Sequence, residues 1–224
     1  MEIFDMASET LLGCPKVENF PKNLYGAGGG IVDGFPMICS GIIYGVKDWS
    51  NTCHSLNQHG QWIEDQYAKV NPGRGYSGTV VIQNQLFMVG GKSDTNSRLD
   101  RILALKPNTT TVKWNSRLDH GLSSACVVPW TKTTFLVTGG NAGRVGQYED
   151  KTYFVNIETK RVYEGPVMHN ARSGHGCTEI MVKGQAYVMV VGGYDAEKST
   201  EMLEKGVMTK WTKGEQKLSA TECY

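Results

Sequence analysis

The sequence predicts an all-β fold, a β-propeller of four-stranded antiparallel blades, on three observations. A diglycine recurs about every fifty residues, each time at the end of an apolar stretch with the composition of a strand. A Trp or Tyr follows each of these landmarks after 18 to 23 residues. Glycine supplies 27 of the 224 residues, as expected for many tight turns between short strands. A period near fifty with several strands per unit is typical of propellers.

The repeat has two kinds of landmark, and we expect both to build the fold. Glycines next to a strand end permit positive φ and close backbone approach, and a large aromatic ring wedges between neighbouring units. The diglycines are Gly90-Gly91, Gly139-Gly140 and Gly192-Gly193, with Ser40-Gly41 as a degenerate copy, and their second glycines are spaced by 50, 49 and 53 residues. The aromatic landmarks are Trp62, Trp114, Tyr163 and Trp211.

The last unit carries the clearest family signal. It runs Arg172-Ser173-Gly174-His175 into an apolar strand and then Gly192-Gly193-Tyr194. A strand that ends in Gly-Gly-Tyr, followed by a Trp some twenty residues later, resembles the kelch repeat, and the resemblance covers roughly residues 26 to 213. It implies that each unit forms a four-stranded antiparallel blade and that the blades surround a central channel.

The predicted elements follow the repeat. Blades are expected at 26–66, 76–115, 121–164 and 172–213. Asp33-Gly34 is a favoured dipeptide for a two-residue hairpin between the first two strands of the first blade. The predicted strands are 30–32, 35–39, 53–56 and 61–63; 78–82, 85–89, 99–105 and 111–114; 124–128, 134–138, 152–157 and 161–163; and 177–182, 186–191, 202–203 and 210–212.

The two ends predict parts of a further blade. Residues 1–14 resemble the third and fourth strands of a kelch unit, with Met1 to Asp5 and Thr10 to Leu12 as the strands. Residues 214–224 are expected to form a tail or a closing strand. Kelch propellers usually have six or seven blades, so we expect this chain to be an incomplete copy of a longer protein, with a small propeller as the alternative.

Composition and charge exclude several classes of protein. The formal net charge is +1 and no basic stripe is present, which argues against nucleic-acid binding. No apolar run approaches the length of a membrane helix. Glu2 and Asp5 stand where a secretory signal carries basic residues, and no long apolar segment follows. The sequence as it stands predicts a cytoplasmic protein, with an extracellular one as the alternative if the N-terminus is incomplete.

The six cysteines contain one candidate disulfide. Antiparallel pairing about a turn near residue 46 places Cys39 opposite Cys53. A disulfide at some cross-strand positions and two small buried hydrophobic side chains both remain open interpretations. The other cysteines show no CxxC and no metal-ligand spacing, so no metal site is predicted.

No catalytic motif is present. The five histidines form no HExxH or HxH pattern, and the sequence has no GxSxG or P-loop. We therefore predict a protein that is not an enzyme and that uses no cofactor. Kelch propellers include galactose oxidase and sialic-acid mutarotases, but nothing in this chain matches the copper site of galactose oxidase residue by residue, so an enzyme is the least favoured alternative.

The kelch resemblance implies a protein-interaction module, because such propellers mostly bind proteins or peptides through loops on a rigid scaffold. In adaptors of the family, arginine, tyrosine and serine side chains at the channel mouth bind an acidic or extended peptide. The expected partner-binding residues here are Arg74, Tyr76, His120, Arg172 and His175. The module is either the substrate-recognition part of a larger adaptor or an extracellular recognition or structural domain.

Overall fold

The computed structural model describes residues 8, 17–46, 48–95, 97–143, 147–196, 198–207 and 209–214, and the backbone alone of 3–5 and 10–12. The predicted tail at 214–224 therefore lies outside the described residues from 215 onward, as do Cys14 and Cys223. The described part of the chain contains strands and turns and no helix, which confirms the all-β fold class.

Four four-stranded antiparallel sheets form the body of the structure. In chain order the strands are β1 (Ile3–Asp5), β2 (Thr10–Leu12), β3 (Leu24–Tyr25), β4 (Gly28–Val32), β5 (Phe35–Cys39), β6 (Ile42–Ile43), β7 (Asp48–Trp49), β8 (Thr52–Leu56), β9 (Trp62–Lys69), β10 (Gly78–Ile82), β11 (Gln85–Val89), β12 (Arg101–Leu105), β13 (Val112–Arg117), β14 (Cys126–Pro129), β15 (Thr134–Thr138), β16 (Thr152–Asn156), β17 (Arg161–Glu164), β18 (Gly176–Val182), β19 (Gln185–Val191), β20 (Thr200–Glu204) and β21 (Thr212–Lys213). Sheet 1 has the order β4-β5-β8-β9, sheet 2 β10-β11-β12-β13, sheet 3 β14-β15-β16-β17 and sheet 4 β18-β19-β20-β21.

Two smaller sheets accompany these four. β1 pairs with β2 in antiparallel register, Ile3 opposite Leu12, as expected for the N-terminal strand pair. β3, β6 and β7 form a three-stranded sheet that the sequence analysis did not predict. The same extension continues in the later units as single bridges, for example between Lys92 and Arg98.

Tight turns set the register of the first hairpin in three of the four sheets. Asp33-Gly34, Gln83-Asn84 and Lys183-Gly184 all have positive φ at both positions. Two successive positive φ values define the type I′ turn, whose twist matches that of the flanking strands. These turns all lie at the same edge of the structure, which we call the hairpin edge.

The diglycines lie at the opposite edge and join each sheet to the next. The second glycine donates its N–H to a carbonyl of the following unit: Gly41 to Arg74 at 2.7 Å, Gly91 to Leu122 at 2.7 Å and Gly140 to Arg172 at 2.8 Å. A Cβ added to Gly90 would lie 2.2 Å from the Leu122 carbonyl oxygen. A side chain has no room where the backbones of adjacent units approach so closely.

Apolar cores fill the three seams between neighbouring sheets. Along β11, Leu86 and Met88 belong to the core shared with sheet 1, and Phe87 and Val89 belong to the core shared with sheet 3. A third core joins sheets 3 and 4. The first strands β4, β10, β14 and β18 are neighbours in that order. Four sheets packed face to face, with their first strands side by side, are consistent with a propeller-like fold.

The aromatic landmarks do not all wedge between sheets, which corrects the prediction. Trp114 and Trp211 are buried in the seams, and the Trp211 indole N–H donates to the Pro166 carbonyl at 2.9 Å. Tyr163 is 49% exposed on the outermost strand of sheet 3. Trp62 is only partly buried, against the ring of Phe20 on the face of sheet 1 that points away from sheet 2. The aromatic residue recurs at a similar position along each unit, but its side chain does not always point to the same face of the sheet.

Candidate functional site

A backbone ladder links the four units at the diglycine edge. Tyr76 donates its N–H to the Gly26 carbonyl at 2.8 Å, Ser124 to Tyr76 at 2.7 Å, and Gly174 to Ser124 at 2.9 Å. All four residues have positive φ, between 54° and 65°. Each one lies just before the first strand of its sheet. The ladder therefore brings equivalent residues of four units together in one row.

Two pairs of tyrosines stand at the two ends of this ladder. The Tyr25 and Tyr76 rings meet edge to face with centroids 6.3 Å apart, and the Tyr148 and Tyr194 rings stack at 6.0 Å. A Cβ on Gly26 would lie 3.3 Å from the Tyr76 ring, and one on Gly174 would lie 3.7 Å from the Tyr194 ring. Tyr25, Tyr76 and Tyr194 are 42%, 41% and 66% exposed.

A polar strip separates the two pairs. Arg98 of the second unit donates from Nε and Nη2 to the Asn141 Oδ1 of the third unit, at 3.2 and 2.9 Å. Asn141 is the bridge partner of Tyr148, and Arg98 is the bridge partner of Lys92. Lys92 and Arg98 are half-buried and bring positive charge to the strip. We call the four tyrosines with Lys92 and Arg98 the tyrosine surface.

Arg74 belongs to the fold and not to this surface. Its side chain is completely buried, and Nη1 donates to the Gly90 carbonyl at 2.9 Å. Its backbone N–H donates to Ser40 Oγ at 2.8 Å. Burial, followed by the charge of Arg101, lowers the pKa of Arg74 to about 10. This corrects the expectation that Arg74 contacts a partner, because a guanidinium with no accessible surface cannot be reached from solution.

Arg172 makes in sheet 4 the contact that Arg74 makes in sheet 2. It is buried as well, which corrects the expectation that Arg172 contacts a partner. Its Nη1 donates to the Gly192 carbonyl at 2.8 Å, the counterpart of the Gly90 carbonyl. Its Nη2 donates to Glu201 Oε1 at 2.7 Å, in an ion pair whose two side chains are completely buried. Glu201 also accepts from the backbone N–H groups of His169 and Asn170 at 2.7 and 3.0 Å. Burial raises the pKa of Glu201, but these hydrogen bonds and the Arg172 charge outweigh it and lower the pKa.

His175 is likewise part of a seam, which removes it from the partner-binding set. Its Nε2 lies 2.8 Å from Thr138 Oγ1 of sheet 3, and the residue is buried. Burial, with a contribution from the Arg172 charge, lowers the pKa of His175 to about 3. The imidazole is neutral at physiological pH, and its contact across the seam holds sheet 4 against sheet 3.

His120 lies in a charged cluster between sheets 2 and 3, and its partner-binding role remains a prediction. Its Nδ1 is 2.5 Å from Asp119 Oδ1, and its Nε2 is 3.4 Å from Glu149 Oε1. Asp119 also accepts from Lys151 at 2.6 Å and from the Tyr153 hydroxyl at 2.5 Å. Burial raises the pKa of Asp119, but the hydrogen bonds from Lys151 and Tyr153 outweigh it and lower the pKa to about 2. These contacts join the two sheets, although His120 is only half-buried.

Of the five expected residues, only Tyr76 lies on the tyrosine surface. Sequence reasoning missed Tyr25, Tyr148 and Tyr194 as members. Tyr194 carried a signal, because it follows the last diglycine directly and so lies at the same edge as the diglycines of the other units. No sequence signal indicated Tyr148, because only the fold brings its ring against Tyr194 of the next unit.

The described residues include two disulfides. Cys39 and Cys53 lie opposite each other on β5 and β8, with Cα atoms 4.0 Å apart. The neighbouring Ser40 N–H donates to the Thr52 carbonyl, so Cys39 and Cys53 occupy a non-hydrogen-bonded pair, where facing side chains are closest.

The second disulfide, Cys126–Cys177, was not predicted. It joins the first strands of sheets 3 and 4, and its Cα atoms are 5.9 Å apart. The sequence separation of 51 between the two cysteines equals about one repeat, so Cys126 and Cys177 occupy equivalent positions in adjacent units. That spacing was the signal available in the sequence.

Metal ligands are not gathered in the described part of the chain: no group of three or more His, Cys, Asp or Glu side chains is placed to hold an ion there. The described residues also include no helix that is long and apolar enough to cross a membrane.

Comparison with known proteins gives a likeness of fold alone. No protein-family model matches the chain, and no curated protein matches it. A solved structure described as "Structure of YjhT" superposes with a TM-score of 0.68 at 14% sequence identity. The match covers 79% of this chain and 61% of that one, so this chain spans less than two thirds of the length of the matched structure.

Proposed function

We propose that the chain is a non-catalytic protein-interaction module of the kelch-repeat type that binds an extended peptide segment of a partner protein on the tyrosine surface. The observation that carries the proposal is the placement of two tyrosine pairs at the ends of one four-residue backbone ladder. In place of the buried Arg74, Arg172 and His175, we propose the four tyrosines as the binding residues; three of them, Tyr25, Tyr76 and Tyr194, are exposed.

The chemistry of tyrosine suits such a surface. A tyrosine ring offers a large contact area at a small cost in conformational entropy, and its hydroxyl adds a hydrogen bond at the rim. The ladder, the seams and the buried Arg172–Glu201 ion pair fix the backbone beneath the rings, so little ordering is needed when a partner binds. Lys92 between the pairs favours a partner segment that carries acidic residues.

The two disulfides favour an extracellular setting over the cytoplasmic one that the sequence predicted. Disulfides persist in oxidising compartments and are rare in the cytosol. In the cytosol, glutathione and thioredoxin would tend to reduce both disulfides. We therefore propose the extracellular recognition domain rather than the adaptor.

We further propose that the four sheets are consecutive blades of a kelch propeller, at 26–66, 76–115, 121–164 and 172–213, and that β1 and β2 belong to another blade. The repeated link from each second glycine to the next unit, and the ladder across four units, support this arrangement. The Arg74–Gly90 and Arg172–Gly192 contacts support it as well, because equivalent residues make the same bond in two units.

Selection of peptides from a random display library tests the binding proposal. Clones that bind the wild-type protein should bind Tyr194→Ala about 30-fold more weakly, because truncating a central aromatic residue costs about 2 kcal/mol. Tyr163→Ala is the matched control, since Tyr163 is a similarly exposed tyrosine on the outermost strand of sheet 3. If the clones bind Tyr194→Ala and Tyr76→Ala as tightly as the wild type, the tyrosine surface is not the binding site.

A further inference from the structure

The loop between β12 and β13 presents an exposed asparagine at the hairpin edge, away from the tyrosine surface. Asn108 is exposed and has φ of 56°. Two bonds fix the turn: the Asn108 backbone N–H donates to Asp65 Oδ2 at 2.6 Å, and the Thr109 N–H donates to the Lys106 carbonyl at 3.2 Å. Asn108-Thr109-Thr110 is the single Asn-x-Ser/Thr sequence of the chain.

The carboxamide of Asn108 is available, in contrast to those of the turn residues Asn57 and Asn156. Asn57 Oδ1 accepts from the backbone N–H groups of His59 and Gln61, and Asn156 Oδ1 accepts from those of Glu158 and Thr159. The Asn108 side chain makes no hydrogen bond within the part of the chain that the structure describes, and Thr110 is exposed beside it. The turn is therefore held without the Asn108 side chain.

We infer that Asn108 is a site of N-linked glycosylation. Asn-x-Ser/Thr with x other than proline is the acceptor sequence, and the disulfides favour the secretory route on which the modification is made. The Asn108 Nδ2 loses a proton and forms a bond to C1 of the oligosaccharide. The bond from C1 to the diphosphate of a lipid-linked donor breaks, and the lipid diphosphate leaves with the electron pair.

The glycan covers an apolar groove and leaves the tyrosine surface open. Asn108 lines a groove of about 530 Å³ between sheets 1 and 2, together with Phe35, Leu56 and Ile63. Phe35 and Ile63 are 39% and 52% exposed. A hydrophilic sugar chain on Asn108 shields these apolar side chains from other proteins. The tyrosine surface lies at the other edge and remains accessible.

Treatment of the full chain, secreted by eukaryotic cells, with peptide N-glycosidase tests the inference. We expect a mobility shift and conversion of Asn108 to Asp in the peptide mass spectrum. Thr110→Ala should lose the shift, whereas Thr110→Ser and Thr109→Ala should keep it, because only the third position of the acceptor sequence needs a hydroxyl. Secreted wild-type protein with both disulfides formed and Asn108 unmodified would overturn the inference.

The inference shares with the proposed function only its extracellular setting, and the two can fail separately. Thr110→Ala should bind the selected peptides as the wild type does. Absence of the glycan with intact peptide binding removes the glycosylation site alone. A glycosylated protein whose selected peptides are insensitive to Tyr194→Ala removes the binding proposal alone.

Discussion

Replacement of Arg172 by methionine separates a stabilising role of the buried guanidinium from a role in binding. Methionine keeps most of the aliphatic stem and removes the charge. The change deletes the bonds to the Gly192 carbonyl and to Ser199 Oγ, and it leaves the Glu201 carboxylate buried without its cation. The backbone N–H groups of His169 and Asn170 still donate to Glu201, so the buried carboxylate keeps two hydrogen bonds after it loses the guanidinium.

The structure sets the size of the expected effect. Removal of one partner from a completely buried ion pair typically costs about 3–5 kcal/mol, and the Arg172 and Glu201 side chains both have no exposed surface. That loss is a large part of the free energy of unfolding of an ordinary domain, about 5–15 kcal/mol. Glu201→Gln in the Arg172→Met background neutralises the stranded carboxylate, so the double variant should be less destabilised than the sum of the two single variants.

Urea unfolding under non-reducing conditions, followed by tryptophan fluorescence, measures the effect. Arg161→Met is the control, because Arg161 is exposed on β17, and we expect its free energy of unfolding to stay within about 0.5 kcal/mol of the wild type. A loss below about 1 kcal/mol for Arg172→Met, together with lost peptide binding, would refute the assignment of Arg172 to the fold.

Three further results are expected. The double replacement Cys126→Ala/Cys177→Ala, which removes the disulfide with a sequence separation of 51, should lower the free energy of unfolding by about 4 kcal/mol. Removal of the Cys39–Cys53 disulfide, with a separation of 14, should lower it by about 3 kcal/mol. Equal stability of the wild type with and without reductant would contradict both values. Gly90→Ala should cost more than Gly34→Ala in urea unfolding, because a Cβ on Gly90 meets a carbonyl oxygen of the next unit at 2.2 Å and one on Gly34 meets nothing within 4 Å; equal costs would contradict the close approach. The pKa of His175 is about 3 in the folded protein and returns to its ordinary value of 6.5 on unfolding. The contribution of the neutral imidazole to the free energy of unfolding is therefore complete above pH 6.5, and it is lost at up to about 1.4 kcal/mol per pH unit as the pH falls. A His175→Gln variant whose stability has the same pH dependence as the wild type between pH 6.5 and 4 would rule His175 out as the cause.

The sequence predicted the strands well because their signals are local. Alternating or continuous apolar residues bounded by turn dipeptides specify a strand within a few positions, and β10, β11 and β15 have the predicted bounds. The β-hairpin at Asp33-Gly34 is equally local, because those residue types tolerate positive φ. The predicted antiparallel pairing also placed Cys39 opposite Cys53, but it left open whether they form a disulfide or two buried thiols.

The candidate site was harder to predict because it depends on which side chains the fold buries. The resemblance to kelch adaptors, whose channel mouth carries arginines, led us to expect Arg74 and Arg172 at the surface. The close approach of adjacent units instead leaves carbonyl groups such as that of Gly90 in the interior, and a long cationic side chain satisfies them. The stacking of Tyr148 on Tyr194 joins two units, and no spacing within either one indicates it.

Hydroxyl-radical footprinting of the tyrosines, with and without a selected peptide, tests the binding proposal most directly. Tyr76 and Tyr194 should be protected when the peptide is bound, and Tyr67 and Tyr163, which are 58% and 49% exposed on outermost strands, should react as before. Protection of Tyr67 or Tyr163 with unchanged reactivity of Tyr76 and Tyr194 would place the binding site elsewhere and contradict the account.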